Sequence, residues 1–316
     1  MKANPLVSIV LATFNGSRYL DESIRSCLEQ TYANWELIIV DDHSTDSTPQ
    51  IIAEWTRKEP RIRSVRNGIN LRLPASLNRG FKEASGTYLT WTSDDNRYRP
   101  DAVQKMVDFL ENDSDCGLVY TDFSEIDENG NLIEEVRAAS PGRLAYGNCV
   151  RACFLYRKTV AEKVGAYRDD LRLVEDWDYW LRIARSFRIE VLHEDSYFYR
   201  WHRGSLTSTQ AAQVRTAIRK LLDEHLPNLK WAGERNRARG YVKLASLAER
   251  DGDALQARLY FRKALRLAPT TALRQCKRQA LGLVIGDRLA KIAIRLFRPV
   301  RRLVRRSETE ETVHAS

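Results

Sequence analysis

The chain has 316 residues, 43% hydrophobic and 29% charged, enough apolar material for one large or two smaller cores and too much for wholesale disorder. Its net charge of +9 is not spread evenly: Arg274–Arg306 holds eleven Lys or Arg against Asp287 alone, so that segment carries +10, the rest sums to −1, and the basicity says nothing about the substrate of the main domain. The five cysteines are odd in number and form no C-x-x-C pair, which excludes a disulfide framework or zinc site and points to a reducing compartment; no signal peptide is expected at the start, and no apolar run reaches the roughly 18 residues of a membrane span.

In chain order, Leu6–Ala12 (LVSIVLA) is a short run rich in β-branched residues and predicts a buried strand. SRYLDESIRSCLEQ sets Tyr19, Leu20, Ile24, Cys27 and Leu28 at helical spacing. Trp35–Val40 is a second buried strand, and Thr48 followed by Pro49 marks a helix start. RIRSVRN, ASLNRGFKEA and Thr87–Thr92 predict strand, helix and strand, and Pro100 opens another helix. GLVYTDFSEID, ENGN and LIEEV read as a strand, an Asn-Gly turn and a return strand. This alternation predicts an α/β fold with a mostly parallel sheet covered on both faces. Beyond about Ala145, ACFLYRKTVAEKVGAY suggests a strand and short helix, DWDYWLRIARSF an amphipathic helix, and EVLHE and SYFYRW two strands. After Thr207 only helix is expected. There, YVKLASLAERDGDALQARLYFRKALRLAPTT reads as a hairpin turning at RDGD, either one tetratricopeptide-like pair or a plain helical hairpin.

Ligands of open α/β sheets bind at the carboxyl ends of the strands. The first predicted strand ends at Thr13, Phe14 and Asn15, the second at Asp41 and Asp42, the fourth at Ser93, Asp94 and Asp95. Carboxylates gathered along one edge suit a hard divalent cation, and the cation suits a diphosphate. A single Asp-Asp pair would read as a solvated turn or helix cap; two pairs at successive strand ends argue for a site. No G-x-G-x-x-G follows the first strand and no G-x-x-x-x-G-K-S/T occurs, which argues against a dinucleotide dehydrogenase and a P-loop NTPase.

VSIVLATFNGSRYLDESIRSCLEQTYANWELIIVDDHSTDST, ASLNRGFKEASGTYLTWTSDDNRYRPDAV, VGAYRDDLRLVEDWDYWLRI and YRWHRGSLTS together resemble family 2 glycosyltransferases of the GT-A fold, in register over about residues 5–208. The resemblance implies a nucleotide pocket at Thr13, Phe14, Asn15, Asp41 and Asp42, with Asn78 and Gly80 in the segment over the nucleotide. It implies that Asp94 and Asp95 hold Mn²⁺ or Mg²⁺ on a sugar-nucleotide diphosphate. Thr92 stands where the commonest pattern has a first Asp, which leaves open which of the two touches the metal. Asp176 matches the catalytic base and Glu175 an acceptor-side acid; both also suit the dipole of a helix start. His202 is placed to ligate the metal or bond a phosphate, and Arg203 to neutralise it. Trp177 is the candidate to stack on an acceptor sugar, Trp180 fits the core, and Asp178 reads as a solvated or capping acid. His43, His193 and His225 have no comparable setting.

The implied enzyme is an inverting glycosyltransferase acting on a glycan or lipid-linked acceptor; a nucleotidyltransferase on a related fold and a non-catalytic glycan-binding protein are the alternatives. Residues 1–207 are expected to form the catalytic domain, 208–286 a helical region, and 287–316 a basic amphipathic helix with a disordered acidic end. DRLAKIAIRLFRPVRRLVRR sets Leu289, Ile292, Leu296, Val300 and Leu303 on one face. That pattern predicts contact with a membrane surface through 287–306, or else packing on the domain. No nucleic-acid partner is expected, and the location expected is cytoplasmic, peripheral on the membrane's inner face.

Overall fold

The computed structural model describes residues 4–204 and 210–275. The expected basic helix, the acidic end and Cys276 lie outside the described residues.

Nine strands form one sheet among the described residues: β1 (Val7–Thr13), β2 (Trp35–Asp41), β3 (Ile62–Arg66), β4 (Tyr88–Ser93), β5 (Arg97–Tyr98), β6 (Cys116–Ile126), β7 (Leu132–Val136), β8 (Phe154–Arg157) and β9 (Arg188–Arg200). Their order is β3-β2-β1-β4-β8-β6-β9-β5, with β7 paired to β6. The β3-β2-β1-β4 half is parallel, as is β6 with β9. The sheet is mixed because β8 lies antiparallel to both β4 and β6 and joins the two parts. EVLHE and SYFYRW, expected as two strands, are one strand, β9, whose pairing with β6 shifts register on both sides of Asp122. The irregularity absorbs the polar residues between the two apolar stretches.

The first compact unit, which ends at Ala232, holds seven helices among the described residues: α1 (Leu20–Leu28), α2 (Thr48–Lys58), α3 (Leu73–Glu83), α4 (Ala102–Asn112), α5 (Lys158–Val164) and α6 (Glu175–Ala184) flank the sheet, and α7 (Ala211–His225) packs on α6 through His225. β1 and β2 are apolar on both faces because both are covered. Ile9, Leu11, Leu37 and Ile39 pack with Leu20, Ile24, Met106, Val107 and Leu110 of α1 and α4. On the opposite face α3 comes so close that a Cβ on Gly80 would stand 2.4 Å from Val10 Cγ1. Gly80 is therefore a packing residue. α6 is held by rings: Trp180 lies 4.4 Å from Phe154 of β8, and Tyr179 stacks on Tyr167 at 4.0 Å.

The second unit begins at Gly233. In it α8 (Gly233–Arg250) and α9 (Ala254–Leu267) form a hairpin, followed by α10 (Pro269–Gln275). Asp253 caps α9 by accepting from Gln256 N at 3.1 Å, and the larger side chains buried in the hairpin include Tyr241 and Leu244 of α8 and Tyr260 and Phe261 of α9. Among the described residues no helix is long and apolar enough to cross a membrane.

Candidate active site

Register brings the three polar strand ends level. Thr13 pairs with Asp41 across β1 and β2, and Ala12 pairs with Ser93 across β1 and β4, so Thr13 and Asp94 each follow a paired position at the same edge. Thr13 Oγ1 donates to Asp94 Oδ2 at 2.5 Å. Gly16 makes room for that carboxylate, since a Cβ there would stand 2.0 Å from Asp94 Oδ2. The loops after β1 and β2 are sewn together: Asn15 N donates to Ser44 Oγ at 2.9 Å, and Asn15 Oδ1 accepts from Thr45 N at 2.8 Å. Phe14, at 45% exposure, stands open beside them.

The paired acids after β2 divide their work. Asp42 accepts from Asn67 Nδ2 at 2.7 Å, Leu71 N at 2.7 Å and Arg72 N at 2.8 Å. Both of its oxygens shape the loop entering α3. Asp41 accepts from Ser44 N through Oδ1 at 2.8 Å. Its Oδ2 lies 3.4 Å from Arg66 Nη1 and has no hydrogen-bond partner among the described residues. Asn78, expected over the nucleotide, instead uses both ends of its amide on the backbone of Tyr167, Nδ2 to the carbonyl and Oδ1 to the N–H, each at 2.8 Å. It pins the segment leading to α6 onto α3 and keeps one N–H of its amide for another partner.

At the turn after β4, Asp95 Oδ2 lies 2.9 Å from His202 Nε2, while Asp95 Oδ1 is buried without a hydrogen-bond partner among the described residues. Burial, then the charge of Asp95, pushes Asp94 up to about 7, against the opposing pull of the Thr13 bond and His202. The hydrogen bond to Asp95 raises His202 above its ordinary value. Arg200 fixes this turn from below. It is 2% exposed; its Nε donates to Asp95 O at 2.9 Å, its N–H to Asn96 Oδ1 at 2.8 Å and its Nη2 to Glu22 Oε2 at 2.6 Å. Arg203 is exposed at the end of the described segment.

These atoms fit a divalent cation of the kind that takes one or two carboxylates and completes its shell from phosphate oxygens and water. The fit rests on the orphaned Asp95 Oδ1 and on the like charge of Asp94 beside it. Among the described residues no three His, Cys, Asp or Glu side chains group as a self-sufficient ligand set, so a cation here would complete its shell from a bound ligand or water.

The acid pair of VEDWDYW opens α6. Asp176 Oδ2 accepts from Asn148 Nδ2 at 2.6 Å and Oδ1 from Trp177 N at 2.6 Å. It is half-buried, and burial pushes it up to about 6, above the usual carboxylate range. Glu175 is 5% exposed and is raised by burial and by the charge of Asp176; its Oε2 has no hydrogen-bond partner among the described residues. Burial, then the charge of Asp95, raises the Tyr199 phenol above its ordinary value. Asn15, His43, Arg72, Arg151 and Leu173, the non-glycine residues with positive φ among the described residues, all lie in loops that carry or contact these groups. Backbone strain of this kind costs roughly 1–3 kcal/mol per residue and collects at functional sites.

Two expectations are corrected. Trp177 is 3% exposed and donates Nε1 to Leu144 O at 2.9 Å, so it offers no ring face to a sugar. Asp178 is fully buried and paired with Arg182 and His225, not solvated; His225 accordingly has a defined setting. Sequence reasoning passed over Gly16, Asn148, Arg151 and Arg200. Only Gly16, directly after the polar end of β1, carried a local signal.

The model described as "Glycosyl transferase family 2" matches residues 8–165, half of the chain. EpsE of Bacillus subtilis is 35% identical over 204 residues, covering 62% of this chain and 73% of that protein. The uncharacterized glycosyltransferase MJ1057 of Methanocaldococcus jannaschii is 31% identical over 208 residues, 62% of this chain and 71% of that protein. Among solved structures, S. aureus TarS 1–349 in complex with UDP-GlcNAc superposes with a TM-score of 0.64 at 16% identity, covering 95% of this chain and 92% of that one. The mannosyltransferase PcManGT from Pyrobaculum calidifontis, in complex with GDP-Man and Mn²⁺, gives 0.57 at 16% identity, covering 96% and 84%. The structural likeness establishes the GT-A fold; the matching family model and the two relatives, each above 30% identity over more than two thirds of its length, place the chain in glycosyl transferase family 2, as a glycosyltransferase.

Proposed function

We propose that the chain moves a sugar from a nucleotide-diphosphate sugar to a hydroxyl of a glycan or lipid-linked acceptor, with inversion, using Asp176 as general base. The observation that carries this reading is the set of aligned strand ends: Thr13, Asp41 and Asp94 stand at one sheet edge, Thr13 holds Asp94, and Asp95 Oδ1 lies beside them buried and without a hydrogen-bond partner among the described residues, while Asn148 holds Asp176 at the start of α6. A leaving diphosphate and an attacking hydroxyl need opposite sides of one anomeric carbon, and two separated carboxylates serve that geometry.

Thr13, Phe14, Asn15 and Asp41 would line the nucleoside. The open ring of Phe14 suits a base, and the spare Oδ2 of Asp41 suits a base N–H or ribose hydroxyl. Asp94 and Asp95, with His202 beside them, would hold Mn²⁺ or Mg²⁺, which when bound neutralises charge developing on the leaving diphosphate; Arg203 would add to that neutralisation. A sugar hydroxyl is a weak nucleophile, so Asp176 takes its proton as the new C–O bond forms and the bond to the diphosphate breaks. Asn148 holds the carboxylate in place for that transfer. The unpartnered Oε2 of Glu175 would accept from an acceptor hydroxyl. The +10 charge of Arg274–Arg306 favours an anionic lipid surface, consistent with a lipid-linked acceptor.

Thermal stabilisation by a panel of UDP- and GDP-sugars, with and without Mn²⁺ or Mg²⁺, tests this reading. One donor should raise the melting temperature in a metal-dependent way. If no nucleotide sugar stabilises the protein under either condition, the reading fails.

A further inference from the structure

Three rings run in a row along β6 and the end of β9. Phe123 of β6 and Tyr199 of β9 have centroids 6.2 Å apart, and Tyr199 and Trp201 are 5.6 Å apart at 70°. Trp201 N donates to Ile126 O at 2.8 Å, so extended pairing continues past the end of β9. The two-residue alternation of a strand then puts Tyr199 and Trp201 on one face. Arg200 and His202 turn the other way, each against the ring of Tyr19. Exposure rises along the row, from 3% at Phe123 to 36% at Trp201.

Contacts tie this row to both halves of the site. On one side the Arg151 guanidinium lies 5.2 Å from the Phe123 ring centroid, Arg151 N donates to Asn148 Oδ1 at 3.2 Å, and Asn148 holds Asp176 at 2.6 Å. On the other side Arg200 and His202, the neighbours of Trp201 in the chain, both bond Asp95. Trp201 is therefore an open indole between two residues that bond Asp95, backed by a half-buried Tyr199 and a buried Phe123. An aromatic face of this kind suits the C–H face of a pyranose, while the phenol at its edge suits a ring hydroxyl.

We propose that Trp201, braced by Tyr199 and Phe123, is the stacking platform for the acceptor's pyranose ring, with the Tyr199 hydroxyl directing that ring toward Asp176. The proposal rests on the glycosyl-transfer reading and assigns the acceptor class as a pyranoside with an uncovered C–H face. It moves the aromatic platform from the buried Trp177 to Trp201.

The test is saturation-transfer NMR on the full chain with p-nitrophenyl β-D-gluco-, galacto- and mannopyranosides, beside nucleotide release from UDP-N-acetylglucosamine and GDP-mannose. At least one pyranoside should receive saturation on its ring C–H protons. Trp201→Ala should weaken its binding about tenfold, and Trp201→Phe should recover most of the loss. Tyr199→Phe should keep binding but lower the rate of transfer to the same pyranoside at unchanged KM. Retained stabilisation by UDP or GDP shows that the variants are folded. Pyranoside binding by Trp201→Ala equal to wild type overturns the platform, as does a wild type that binds none of the three. Absence of nucleotide release by the wild type would overturn the glycosyl-transfer reading alone, because the NMR arm still decides the platform.

Discussion

His225 Nε2 lies 2.9 Å from Asp178 Oδ1, joining the last residue of α7 to the first turn of α6. Both side chains are buried. Asp178 Oδ2 also takes Arg182 Nε at 2.7 Å, and Arg168 Nη1 stands 3.6 Å from Oδ1. Arg182 in turn donates to the carbonyls of Val164 and Ala166. A carboxylate two residues from Asp176 is thus the hub that fixes α6 against α7 and against the segment after α5. Asp178→Asn removes a buried charge from paired cations and should cost about 3 kcal/mol, read from urea denaturation. Burial works to raise Asp178, but the bonds from His225 and Arg182 prevail and its pKa is lowered. Its stabilisation is therefore present above the ordinary carboxylate range and lost as pH falls through the folded value. The wild type should lose its advantage over the variant at low pH; an advantage that stays constant down to the acid transition would contradict this account.

Asp176 accepts a proton only when ionised. Because burial pushes it up to about 6, kcat/KM should fall as pH drops through about 6, well above the range of an ordinary carboxylate. Asp176→Asn should reduce turnover by roughly 10²–10⁴-fold while leaving nucleotide-induced thermal stabilisation in place. Turnover near the wild-type level in this variant would remove Asp176 from the base role.

Gly16→Ala tests the seat of the Asp94 carboxylate. The new Cβ would fall 2.0 Å from Asp94 Oδ2 and 2.5 Å from Thr13 Oγ1, so the carboxylate must turn away and the Thr13 bond must open. Donor affinity with metal should drop by about tenfold, on the order of one lost charge-assisted hydrogen bond. Unfolding by urea should change far less, since the displaced atoms are at the rim of the sheet. Equal donor affinity in the variant would show that Asp94 needs no such seat.

The parts of the site that follow directly from strand ends were legible in the sequence. β1, β2 and β4 are buried on both faces, so their apolar runs stop abruptly at Thr13, Asp41 and Asp94, and register then makes those residues neighbours. Motif position did not reveal which partner a side chain would choose. Asn78 stands where the family resemblance puts it but spends its amide on Tyr167. The burial of Trp177 does follow from local pattern: Trp177 and Trp180 are three residues apart and share one helix face, so burial of one argues for burial of the other. His225 was beyond reach, because its partner Asp178 is 47 residues away and no local pattern announces the contact. Arg200 was equally opaque, since an arginine between Tyr199 and Trp201 reads as a surface residue until Glu22 and the Asp95 carbonyl are seen around it.

Glu175 shows what the site costs the fold. Its carboxyl is buried, one oxygen has no hydrogen-bond partner among the described residues, and burial with the neighbouring charge of Asp176 raises it well above its ordinary value. A carboxyl whose folded pKa is raised favours the folded state while protonated, and that contribution is lost as pH rises through the folded value. At pH 8 the wild type must therefore either carry a buried, poorly solvated charge or bind a proton at a cost. Glu175→Gln removes that choice and keeps the shape, so it should be more stable than wild type at pH 8 by on the order of 1 kcal/mol. The difference should shrink toward zero near pH 4, where both side chains are neutral. If Glu175 meets the acceptor as proposed, turnover with an acceptor should also fall in the same variant. Paired urea titrations at pH 4 and pH 8 read the first effect. A Gln variant less stable than wild type at pH 8 would mean that Glu175 is satisfied in the folded protein and is not held there for the acceptor.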